Sequence, residues 1–177
     1  WLVTDDGNQS VAVTNPFICA TGGTITNTPT CRIHTFTSPG TFTVNNIASS
    51  APNNAVAYMV IAGGGGGGGG GCGGDAGGGA GAGGFREGRT APITPYTASP
   101  LVAATGVTIT ASSFPIVVGA GGAGGAGPGN GAQGSTSSGL CISSAGGGFG
   151  KGNTGAPHSA GDGGSGGGGR GGGGVPA

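Results

Sequence analysis

The chain is 177 residues long, of which 50 are glycine, only 6% are charged, and the formal net charge is +0 at pH 7. An ordinary soluble domain carries charge on about a quarter of its residues and has about 7% glycine, so an ordinary enzyme composition is excluded. Neutrality also excludes the basic footprint of a nucleic-acid binder and the acidic tail of a solvating segment.

A glycine excess without a strict three-residue repeat is commonly read as disorder. Disordered chains combine low hydrophobicity with high net charge. Here 34% of the residues are apolar and the mean hydropathy is +0.10, so the chain is expected to pack on itself or to aggregate, a disordered glycine-rich linker being the rival reading. No apolar stretch approaches the ~18 residues of a membrane-spanning helix, and the opening WLVTDDGNQS shows no signal-peptide pattern; no membrane insertion is expected.

In chain order, residues 1–32 are rich in Thr, Asn, Gly and Pro and read as a connecting segment; residues 33–177 read as a β unit with a glycine-rich annex. In IHTFTSPGTFTV, residues 33–44, Thr and Phe alternate on both sides of Ser38-Pro39-Gly40. This predicts a hairpin with Phe36, Phe42 and Val44 facing the core. After a polar loop, AVAYMVIA at 55–62 reads as a strand buried on both faces. GVTITAS at 106–112 and FPIVVGA at 114–120 have the same β-branched character, and STSSGLCISSA at 135–145 is a weaker strand signal. No segment has a helical period, and glycine opposes helix throughout.

Four glycine tracts remain: 63–84, 119–134, 146–155 and 161–174. The first begins with nine successive glycines, Gly63, Gly64, Gly65, Gly66, Gly67, Gly68, Gly69, Gly70 and Gly71. Glycine loses more backbone freedom on ordering than any other residue and has no side chain to bury, so compensation must come from its N–H and C=O groups. Extended helices with three residues per turn stacked side by side and hydrogen-bonded between chains, the polyglycine II arrangement, provide it. At about 3.1 Å per residue nine glycines span roughly 28 Å. The expected fold is all-β: a small β-sandwich or jelly-roll-like unit joined to a slab of such rods, with Ala, Ser, Asn and Asp on outer faces or at turns.

Cys19, Cys31, Cys72 and Cys141 allow three pairings. Cys19 and Cys31 stand on either side of GGTITNTPT, and Cys72 and Cys141 each adjoin glycine-rich sequence. Bridges 19–31 and 72–141 are expected, implying an oxidising environment; four free thiols are the alternative. With no C-x-x-C pair and two histidines, neither metal nor cofactor is expected.

Other motifs dissolve on inspection. G-x-G-x-x-G is inevitable where glycine is so frequent, and GGGFGKGN places Gly152 after Lys151 where a phosphate loop needs Ser or Thr. Asp75 and Asp162 read as turn aspartates, His34 as an outward strand position, and Arg86-Glu87-Gly88-Arg89 as a solvated turn where a rod re-enters the β unit. No nucleophile, base or carboxylate pair is discernible, so no catalytic residue and no enzymatic activity are expected.

The order of elements resembles the glycine-rich domain of bacteriophage tail-fibre and other virion proteins, also found in bacterial surface proteins. The residues that carry the likeness are HTFTSPGTFTV at 34–44, VAYMVIAGGGGGGGG at 56–70, GGGAGAGGFREG at 77–88, FPIVVGAGGAGGAGPGNGAQGSTSS at 114–138 and GGSGGGG at 163–169. The resemblance implies a virion or extracellular structural protein of a tail fibre, tail tip or head fibre. Its partners would be other copies of itself in a trimer or array, other virion proteins, and a host cell-surface receptor. Loops bearing Asn130, Asn153 and His158 are the expected receptor-facing positions. The alternative is a secreted filament or surface-layer subunit that polymerises through strands and glycine tracts. The cysteines and residues 1–32 lie outside the family pattern.

Overall fold

The computed structural model describes residues 15–71, 76–89, 97–100, 102–153 and 159–171. In chain order its strands are β1 (Cys19–Thr21), β2 (Thr24–Asn27), β3 (Arg32–Thr35), β4 (Gly40–Asn46), β5 (Ala55–Val56), β6 (Tyr58–Ile61), β7 (Phe85–Gly88), β8 (Val107–Thr108), β9 (Ser113–Ile116), β10 (Ser137–Gly139) and β11 (Ile142–Ser144), with one short 3-10 turn at Ala51–Asn54. The class is all-β, as expected. The strands form a three-stranded sheet, β1-β4-β9, and the antiparallel pairs β2-β3, β5-β8, β6-β7 and β10-β11; they do not establish the expected sandwich or jelly roll.

The core gathers on β4. Its sequence GTFTVNN alternates, so Phe42 and Val44 point inward while their neighbours lie toward solvent. Ala20 of β1 stands opposite Val44, and Phe114 of β9 opposite Phe42, with the two rings 6.4 Å apart. Ile109 completes the buried cluster, with Phe36, Val56, Ile116 and Leu140 packed around it. Beside it, buried Asn54 replaces missing ladder bonds: its Oδ1 accepts from Ala48 N at 2.7 Å and its Nδ2 donates to Ala48 O at 3.1 Å.

Several local expectations change. The 33–44 hairpin does not form, because β4 takes β1 and β9 as partners while β3 pairs with β2, whose turn is closed by Thr28 N donating to Cys31 O. Residues 19–27 therefore belong to the folded unit, and Ala20 to its core. The 55–62 run splits into β5 and β6, and among the described residues β6 pairs only with β7, leaving Met59 and Ile61 66% and 54% exposed.

The Arg86–Arg89 turn is instead mostly strand β7, whose Glu87 is buried and accepts from Ser99 N at 2.5 Å. His34 is half-buried, edge-on to Phe42 at 5.0 Å, and its Nδ1–H donates to Gly22 O at 2.8 Å. Cys19 and Cys31 are free and exposed, Cys31 at the turn of the β2-β3 hairpin, so the expected 19–31 bridge is not formed. Cys141 is free as well, and Cys72 lies outside the described residues.

The β10-β11 hairpin turns through Leu140 and Cys141, both at positive φ, 53° and 63°. Paired left-handed residues suit the twist of a two-residue hairpin, but non-glycine residues there cost about 1–2 kcal/mol each. Cys141→Gly is expected to raise stability by about 1 kcal/mol in urea unfolding. Phe42→Ala should lower it by about 3–5 kcal/mol; an unchanged midpoint would place the core elsewhere.

Candidate functional site

The glycine tracts form six extended segments, here called rods: R1 (62–71), R2 (76–84), R3 (119–127), R4 (129–135), R5 (145–153) and R6 (164–171). R1 is met by a neighbour at every third residue. Its N–H groups at Ala62, Gly65 and Gly68 donate to Gly84, Gly81 and Gly78 of R2; those at Gly63, Gly66 and Gly69 donate to Ser135, Ala132 and Gly129 of R4. Its carbonyls at Gly63, Gly66 and Gly69 accept from Gly147, Gly150 and Asn153 of R5, and those at Gly64 and Gly67 from Gly122 and Gly125 of R3. The period is that of a three-per-turn extended helix with no internal hydrogen bonds, which is the polyglycine II arrangement.

The remaining contacts fix the assembly. R2 bonds to R5 and R6, R4 to R3 and R5, and R5 to R6. This adjacency is that of two staggered layers, R3-R1-R2 and R4-R5-R6. R3, R5 and R6 run with R1, and R2 and R4 run against it. The four expected tracts thus give six rods, because the first and second each turn back once.

Strands position the rods. β6 pairs with β7 from Tyr58↔Gly88 to Ile61↔Phe85, and the same register continues through Ala62 to Gly84, Gly65 to Gly81 and Gly68 to Gly78. The β10-β11 register likewise continues into R4-R5, and the Val117↔Ser138 bridge into R3-R4. Each ladder changes from a two-residue to a three-residue period where side chains disappear. The strands thus act as templates at one end of the slab.

Chain contact explains the glycine requirement. A methyl added at Gly66 would lie 1.9 Å from Ala123 O, whereas one added at Gly67 would have Gly78 O as its nearest neighbour at 3.7 Å. The non-glycine residues mostly stand outside: Ala80, Ala82, Ala123, Ala132 and Ser165 are exposed. Lys151 is an exception, buried within R5.

At the far end, the R3-R4 turn is closed by Gly129 N donating to Ala126 O at 3.0 Å, with Gly127 at φ 52° ahead of Pro128. Asn130 and Asn153 come together there. Asn130 Oδ1 accepts from Gly152 N at 3.0 Å, and Asn153 Oδ1 accepts from Arg170 Nη1 at 2.5 Å. Both side chains therefore tie rod ends together; His158 lies outside the described residues. Gly70 is exposed near this end and Gly71 lies against the Asn153 side chain. Asp162 is exposed, and its carbonyl accepts from Gln133 Nε2.

Sequence reasoning missed buried Glu87, buried Lys151 and fully buried Ser144. It also missed the unequal surroundings of neighbouring glycines, although Ala120, Ala123 and Ala126 repeat at three-residue spacing and so mark one outward face of R3. Among the described residues no cluster of three or more His, Cys, Asp or Glu could hold a metal ion.

A family model described as a glycine-rich domain matches residues 37–177, which holds all six rods. Comparison with curated proteins and with solved structures gave no match.

Gly66→Ala is expected to cost at least about 3 kcal/mol or to prevent folding, since backbone on both sides would have to move. Gly67→Ala should be neutral or stabilising by up to about 1 kcal/mol, because it restricts only the unfolded chain. Equal effects in chemical unfolding would rule out the layered packing.

Proposed function

We propose that this chain, which belongs to the glycine-rich domain family, is a non-enzymatic structural and adhesive domain of a virion appendage: a phage tail fibre, tail tip or head fibre. The observation that carries this reading is the division of labour within the slab. A body is built mainly from backbone contacts, anchored by strands at one end, and the R3-R4 turn and the Asn130, Asn153 and Arg170 side chains gather at the other.

Such a body suits a device that projects a contact surface. Most of its strength rests on bonds between backbones, so exposed tip positions that hold no rod end are free to vary with the receptor. The sequence likeness of residues 34–44, 56–70 and 114–138 to virion glycine-rich domains supports the same reading. Partners on this view are further copies, neighbouring virion proteins and a host-surface receptor. The location is extracellular.

Labelling intact particles with an antibody against this chain should mark their appendages, and the purified domain should compete with particle adsorption to host cells. Label on cell-surface filaments in particle-free cultures would instead favour the polymerising surface subunit.

A further inference from the structure

R1 and R5 are the central rods of their layers and have equivalent surroundings, yet their outward sides are treated differently. In a three-per-turn rod successive N–H groups point about 120° apart, as do successive carbonyls. On R5 two directions of each kind face R1, R2, R4 and R6. The third is met by the chain itself: Gly161 N donates to Phe149 O and Gly164 N to Gly146 O, each at 2.9 Å, and Gly152 N donates to Asn130 Oδ1 at 3.0 Å.

On R1 the third set has no partner among the described residues. Gly64 and Gly67 donate to nothing, and the carbonyls of Ala62, Gly65 and Gly68 accept no N–H. Both rows lie on the side of R1 away from R4 and R5, flanked by R3 and R2. Open donors and open acceptors, at the spacing the slab uses internally, make that surface self-complementary. The surface is open at these positions among the described residues: a methyl at Gly64, Gly67, Gly121 or Gly124 would meet nothing closer than 3.7 Å.

We propose that the R3-R1-R2 face docks a second copy of this chain through the same face, so that the rod array continues across the interface. The occupant is a second copy because the vacant positions call for an extended, side-chain-poor backbone, which this chain provides. Direction is no obstacle, since R1 already bonds to R3 in parallel and to R2 in antiparallel orientation. A two-fold axis therefore gives a closed dimer. The R4-R5-R6 face is unsuited to the same role, its central rod being capped by Gly161, Gly164 and Asn130. The inference deepens the fibre reading by naming the self-contact, but is independent of which particle or host is involved.

The test is sedimentation of the full 177-residue chain across a concentration series, together with amide exchange. The wild type should sediment as a dimer. The amides of Gly64 and Gly67 should gain protection at least tenfold as dimer accumulates, whereas those of Gly65, Gly66, Gly68 and Gly69 are protected at every concentration. A Gly64→Glu/Gly67→Glu double variant should sediment as a monomer with an unchanged unfolding midpoint, and Gly166→Glu, on R6, should still dimerise. A wild type that stays monomeric, or a double variant that dimerises through another surface such as Met59, Ile61 and Phe85, overturns the proposal. Should the double variant fail to fold, concentration-independent exchange at Gly64 and Gly67 in the wild type overturns it equally well. Host adsorption is not part of this readout, so failure here leaves the virion reading standing, and the reverse holds too.

Discussion

Everything in this molecule depends on one interaction: the hydrogen bond between neighbouring extended backbones, repeated at every third residue and made possible by the missing Cβ. In a β-ladder a chain meets two neighbours. In the rods R1 and R5 each meet four, so about two of every three N–H and C=O groups of these rods are engaged by neighbouring backbones. The gain per bond is modest, about 0.5–1.5 kcal/mol, and ordering each residue costs a similar amount. The slab is therefore stable only as a set of rods that form together, with the strands supplying the first contacts.

That dependence explains why a small β core suffices. Phe42, Val44, Ala20 and Ile109 bury too little surface to hold a chain of this length by themselves. Their role is to seat β4 between β1 and β9, so that the strands leading into R3 start in register. The β6-β7 and β10-β11 pairs then set the registers of R1-R2 and R4-R5. An error of one residue in either strand pair would move an outward glycine such as Gly67 into an inward position, or an exposed alanine such as Ala132 into a contact with no room for its methyl.

The same geometry separates backbone packing from side-chain chemistry. Charge is almost absent from the slab, with Lys151 buried and Arg170 tied to Asn153 at its far end. The exposed apolar side chains Met59, Ile61 and Phe85 lie instead in the strands at its base. A body joined mostly through its backbone leaves its outward side chains free to change with little effect on its own folding.

The amino-acid sequence determined that the chain is all-β, that its glycine tracts are ordered, and that they pack as three-per-turn rods. Those conclusions follow from composition: a neutral chain with 34% of its residues apolar favours packing over an open state, and glycine can be ordered only through its backbone. The core roles of Phe42 and Val44 were legible too, because period-two alternation marks a buried face. Strand partners were not. The alternation in residues 33–44 fits any neighbour of suitable twist, and β4 took β1 and β9 in place of β3 because they bring Ala20 and Phe114 onto Phe42 and Val44. The difference between Gly66 and Gly67 was hidden for a related reason: identical residues carry no mark of direction, and only the positions of neighbouring rods decide which of them has room for a methyl group and which has none.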